Sequence, residues 1–135
     1  MNEFLDLSQA KQFASNDLEL FELAQTFEIS LQLEVDFFKN TPQKRDSLGE
    51  GKFESLRINS DLIKSVELHF HQIMGFLPLF AGYATLNELK SLSKLIINNS
   101  SVEFYDSCGR IQEILEGLQS ELSNWKASYH LHSSQ

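Results

Sequence analysis

The run Leu68 to Gly82, LHFHQIMGFLPLFAG, holds the side chain best suited to chemistry, His71, four residues before Gly75 and eleven before Gly82. Imidazole can act as a nucleophile near neutral pH, because one ring nitrogen can stand unprotonated while the other keeps its proton. A glycine one helical turn further on removes the side chain that would otherwise cover the ring. Inside a helix that glycine costs about 1 kcal/mol relative to alanine, so it calls for a reason. The pair describes a histidine that a bulky partner can reach.

The other candidates are weaker. His69 and His71 stand two apart, so on a helix they point roughly 200° away from each other and do not clasp one metal ion. The Glu-x-x-His repeats of a di-metal carboxylate core do not occur. No elbow or other local signature sets a serine or cysteine against a histidine, which argues against nucleophilic hydrolysis. The single cysteine, Cys108, falls in an apolar helical seam and reads as a buried structural thiol. His130 and His132 lie in the terminal YHLHSSQ, expected to be a frayed, solvated tail over 129–135.

The elements that must position His71 are helical. Four long segments show three- and four-residue apolar spacing and none shows sustained strand alternation, so the fold class is all-α. In the first, Leu20, Ala24, Phe27, Leu31, Val35 and Phe38 form a seam behind a capping box of Asn16 and Glu19, which predicts a helix over about residues 17 to 39. A short helix over Leu5 to Ala14 is expected to pack Leu7 and Phe13 across one end. The stretch 40–59, with Pro42, Gly49 and Gly51, reads as a long connection.

The next helix is expected to start with Asn59 or Ser60 as N-cap and to run through His71. Its core face is Ile63, Val66, Phe70, Ile73, Met74 and Leu77. His71 projects roughly 110° from the centre of that face, with Lys64, Leu68, Gly75 and Pro78 on the same outward flank. Pro78 should kink or end the helix about two turns past His71. A third long helix follows the turn at Gly82, with Thr85 as a possible cap, Leu86, Leu89, Leu92 or Ser93, and Ile96 inward, and Asn98 to Ser100 at its end. In the fourth, Phe104, Cys108, Ile111, Leu115, Leu118, Leu122 and Trp125 form a seam about six turns long. Short links favour antiparallel neighbours. The expected architecture is an antiparallel up-and-down four-helix bundle with a short additional N-terminal helix, one domain over 1–135.

Composition narrows the function classes. At 41% apolar residues with two prolines and six glycines, the chain is neither disordered nor fibrous in type. A net charge of -8, with Lys44 and Arg45 as the largest basic cluster, argues against nucleic acid. The longest apolar stretch, Ile73 to Ala81, is too short to span a bilayer, and MNEFLDL places acids where a signal peptide carries bases. A cytoplasmic protein without membrane association is the expectation.

One family shares these features. The opening LDLSQAKQFASNDLELFELAQTFEISLQLEVDFF, with Phe27 midway, is similar to the short helix and first long helix of histidine-containing phosphotransfer (HPt) domains. His71-Gln72-Ile73-Met74-Gly75 resembles their His-x-x-Lys-Gly motif, with Met74 at the lysine position. Gly82, Leu86 and Leu89 resemble the glycine turn and following helix, with one residue inserted, and SVEFYDSCGRIQEILEGLQSELSNW resembles the last helix. The resemblance covers nearly the whole chain, and its specificity rests mainly on His71, Gly75 and Gly82.

The resemblance implies a phosphorelay carrier of two-component signal transduction, rather than a free-standing enzyme. His71 is the phosphoryl acceptor, exchanging with an aspartate of a response-regulator receiver domain or a hybrid sensor histidine kinase. Gly75 gives access, Gln72 hydrogen-bonds near the phosphoryl group, and Lys64 is the nearest replacement for the charge that Met74 lacks. Leu68, Pro78 and Leu79 belong to the partner-docking surface. No cofactor is intrinsic, and Mg²⁺ comes with the receiver. Two other readings stand beside it: a pseudo-HPt domain that binds a receiver or kinase without carrying phosphate, and a helical adaptor unrelated to phosphorelay, with Leu68 and Leu79 exposed along a partner groove.

Overall fold

The computed structural model describes residues 3–40, 60–98 and 101–133. Among these the chain is all-α, with α1 at Ser8–Phe13, α2 at Asp17–Asn40, α3 at Ser60–Phe76, a 3-10 turn at Leu77–Leu79, α4 at Tyr83–Asn98 and α5 at Ser101–Ser133. The connection expected from Asn40 onward lies outside the described residues from 41 to 59, as do Asn59, Asn99 and Ser100. Asn40 itself closes α2, its amide donating to the Asp36 carbonyl at 2.9 Å. No helix among the described residues is long and apolar enough to cross a membrane.

Local chemistry explains the helix ends. At the start of α2 the Asn16 Oδ1 accepts the Glu19 N–H at 2.9 Å and the Glu19 Oε2 accepts the Ser15 N–H at 2.8 Å, a reciprocal cap that satisfies two otherwise unpaired donors. At the end of α3, Pro78 has no N–H to offer and the chain tightens into the 3-10 turn, where the Phe80 and Ala81 N–H groups both reach the Leu77 carbonyl at 2.8 and 2.9 Å.

α4 starts at Tyr83. The Gly82 carbonyl accepts the Leu86 N–H at 3.0 Å, so Gly82 occupies the capping position expected of Thr85. Thr85 is buried within the first turn instead, because it shares an inward sector with Leu89 and Ile96. α5 continues helical to Ser133, past Tyr129 where a frayed tail is expected; no glycine or proline follows Gly117 to stop it.

The two sequence seams form the centre. Leu20, Ala24, Phe27, Leu31, Val35 and Phe38 of α2 are all buried, as are Phe104, Cys108, Ile111, Leu115, Leu118 and Leu122 of α5, with Trp125 half-buried at its far end. α2 packs against α5 and α3, and α4 packs against α5 and α3. Phe21 meets Trp125, with ring centroids 6.3 Å apart, while Gln32 accepts from Gln119 at 2.6 Å, so α2 and α5 run in opposite directions. Phe27 stacks on Phe80 at 4.0 Å and meets Phe76 edge-on at 5.4 Å, while Phe37 lies against His69, which sets α3 antiparallel to α2.

The N-terminal residues close one end in a way the sequence pattern did not foretell. Leu5 pairs with Ala81 in an isolated antiparallel bridge, Asp6 N–H donates to Phe80 O at 2.8 Å, and Gly82 N–H donates to Phe4 O at 3.0 Å. The Phe4 and Leu5 N–H groups converge on Glu121 Oε1 at 2.9 and 3.2 Å. The Phe4 ring lies over Gly117, where a Cβ would overlap it. Phe4 and Leu5 thus fill the end of the core assigned above to Leu7 and Phe13. Leu7 is only half-buried, Ala10 is the fully buried residue of α1, and Phe13 is left 70% exposed.

Candidate functional site

α3 presents three different surfaces. Inward, Val66, Ile73 and Leu77 are buried, with Ile63, Phe70 and Met74 partly so. Toward α2, His69 Nδ1 lies 2.7 Å from the Glu34 Oε2, and the imidazole stacks on Phe37 with centroids 3.6 Å apart and planes 12° from parallel. Glu34 is a buried carboxylate at 5% exposure, and His69 is the partner that meets its hydrogen-bonding need. Outward, Lys64, Leu68, His71, Gln72, Gly75 and Pro78 are all exposed.

This outward surface is where the sequence placed the site. Advancing 100° per residue turns His71 roughly 200° from His69, so a ring locked against α2 at one position leaves the other in solvent. The two histidines do not approach a shared metal, and among the described residues no cluster of three or more His, Cys, Asp or Glu is arranged to hold one. His71 makes no hydrogen bond with any described residue. The imidazole is free to present a ring nitrogen outward.

Gly75 gives the sharpest observation. A Cβ built there meets nothing within 4 Å, so none of the described residues requires the glycine for close packing. The helical cost of about 1 kcal/mol is not offset by any contact with the described residues. What the glycine does provide is a bare patch of helix beside His71.

The remaining expected residues divide. Leu68 is 57% exposed, as the docking reading asks. Leu79 is not an exposed groove residue: the 3-10 turn rotates it into partial burial against the core, because the tighter three-residue repeat changes its angle from that of a continued α-helix. Met74, three residues after His71 and so on the neighbouring helical position, is half-buried, and its thioether carries no charge. Gly82 marks the turn, away from His71, and a Cβ there would make only ordinary contacts with Asp6 Cβ at 3.9 Å and Phe4 O at 4.0 Å. Cys108 is fully buried and its thiol is pushed up to about 12 by desolvation, so it stays protonated and inert. The side chains of His130 and His132 lie outside the described residues.

Sequence reasoning missed the Glu34–His69–Phe37 lock, because a lone glutamate in an apolar seam reads as a surface residue. The available signal was its place between Leu31, Val35 and Phe38, where only a paired carboxylate is tolerated. Compared with known proteins, the chain matches no family model, no curated protein and no solved structure.

Proposed function

We propose that this chain is a phosphotransfer carrier of the HPt type: a four-helix bundle, working in the cytoplasm, on which His71 accepts a phosphoryl group from a receiver-domain aspartate and passes it on. The observation that carries the reading is the open Gly75 one turn from an unpartnered, exposed His71. A glycine that no described neighbour requires, beside a nucleophile that bonds to no described residue, leaves room for the approach of a large partner. The mutual packing of α2, α3, α4 and α5 supports the bundle by supplying a rigid frame for that face.

In the transfer, the unprotonated ring nitrogen forms an N–P bond as the O–P bond of the aspartyl phosphate breaks. The electron pair leaves with the aspartate carboxylate, and the other ring nitrogen keeps its proton. The receiver brings Mg²⁺ and its own charge-stabilising groups, and this chain contributes position. Gln72, on the next residue and exposed, is a hydrogen-bond donor available to the phosphoryl oxygens.

Met74 favours a second reading, the pseudo-HPt domain, since the motif's cation is replaced by a half-buried thioether. Incubation with phosphorylated receiver domains decides between them. Acid-labile label present on the wild type and absent from His71→Gln is the expected result. Receiver binding without label selects the pseudo-domain, and absence of receiver binding contradicts both.

A further inference from the structure

Charge is distributed very unevenly over the helices. α2 and α5 together hold eleven carboxylates against three basic residues, which equals the whole net charge of -8. α3 and α4 are balanced, with Asp61, Glu67 and Glu88 against Lys64, Lys90 and Lys94. Glu88 is already committed to α5, its carboxylate bound by Arg110 at 2.7 and 3.1 Å. Lys64, Lys90 and Lys94 are exposed and make no ion pair with any described residue.

Helical projection turns the two α4 lysines to the outward surface that α4 shares with the His71 flank of α3. Glu88 marks the flank of α4 that faces α5, and Leu89 with Thr85 and Ile96 marks the core. Lys90 and Lys94 are turned roughly 200° and 240° from Glu88, onto the outward surface on the side where α4 packs against α3. By the same projection His71 lies on the outward surface of α3 on the side of α4, opposite the His69 flank that faces α2.

The axial levels agree as well. At 1.5 Å per residue, His71 stands about 7.5 Å before the end of α3, or about 13.5 Å before the end of the 3-10 turn, while Lys90 and Lys94 stand about 10.5 and 16.5 Å into α4. Packed helices lie about 8–10 Å apart, a gap that long flexible lysine stems reach across. Lys64 is worse placed. It is about 10.5 Å away along α3, and because both side chains lean toward the same N-terminus the lean does not shorten that separation.

Resting on the carrier reading, we infer that Lys90 and Lys94 of α4 supply the cationic contact to a phosphoryl group on His71 that Met74 does not. The ammonium groups stabilise the dianion, which holds its charge on oxygens that lose density as the N–P bond breaks, so their presence slows hydrolysis.

The test uses potassium phosphoramidate, a small donor that needs no partner protein. A ring nitrogen of His71 forms the N–P bond, the P–N bond of the donor breaks, and ammonia leaves. Phosphohistidine half-life is followed by ³¹P NMR after the donor is removed. The Lys90→Gln/Lys94→Gln variant should lose its label about two- to five-fold faster than the wild type, an effect of the size of exposed ion pairs. Lys90→Arg/Lys94→Arg should keep the wild-type lifetime, and the difference should shrink at high salt. An unchanged half-life in the double glutamine variant, or a shortening seen only in Lys64→Gln, overturns the inference while leaving the carrier intact. A wild type that takes no label at position 71 overturns the carrier reading itself. All these lysines are exposed, so the variants fold, which circular dichroism verifies.

Discussion

His69 and His71 are separated by one residue and by opposite surroundings. His69 is turned to α2, paired with the buried Glu34 at 2.7 Å and stacked on Phe37. His71 is turned to solvent, beside a glycine with empty space above it. One helical rotation gives two imidazoles opposite environments: the first is fixed against α2, and the second is displayed on the far flank. A lock on one flank of α3 holds the opposite flank in register without touching it.

That contrast breaks most visibly in stability. His69→Ala leaves Glu34 buried without its partner and should cost about 1–3 kcal/mol, whereas His71→Gln, on an open surface, should stay within about 0.5 kcal/mol. Urea melts of the two variants measure the difference, and equal costs would erase it.

The glycines sharpen the same comparison, because one is enclosed and the other open. Gly117→Ala drives a methyl into the Phe4 ring and loosens the N-terminal strap, with an expected loss of about 1–3 kcal/mol. Gly75→Ala meets nothing and should gain about 0.5–1 kcal/mol by helix propensity. Thermal denaturation reads both signs. A bulky Gly75→Leu should also fold normally, yet slow phosphoryl transfer from a receiver, since its cost falls on the partner.

How far the sequence carried this picture follows from the range of each interaction. The seams of α2 and α5 and the outward angle of His71 were legible because helical periodicity acts within a few residues. The end of α3 was legible because Pro78 lacks a donor whatever its surroundings. The Phe4–Leu5 strap was not, since it joins the first residues to Glu121 and Gly117 across more than 110 positions, and of the two α5 glycines, Gly109 and Gly117, nothing local says that the second is the one approached closely. Leu79 and Phe13 were misplaced for a related reason. A 3-10 turn changes the angular step, and a helix of six residues has its inward face chosen by what fills the core beside it.

The smallest expected effect separates the α4–α5 contact from the His71 face. The Arg110 guanidinium, by hydrogen bonding, holds the Glu88 carboxyl below its ordinary value of 4.5, against the opposing effect of burial. A carboxyl whose folded value is depressed adds stability above its unfolded value and loses it as pH falls through the folded one. The loss should therefore appear below about pH 4.5 and, with Glu88 40% exposed, stay under about 1 kcal/mol. Arg110→Gln should flatten that part of the stability profile without altering label at His71.

The central claim is that the open imidazole, and not the locked one, carries the phosphoryl group. Site-resolved mass spectrometry of the peptide spanning both histidines, after exposure to a phosphorylated receiver domain, tests it most directly. Phosphate localised to His71, with His69 unmodified, is the result expected. Phosphate on His69, or a receiver that binds while both rings stay bare, would contradict the account.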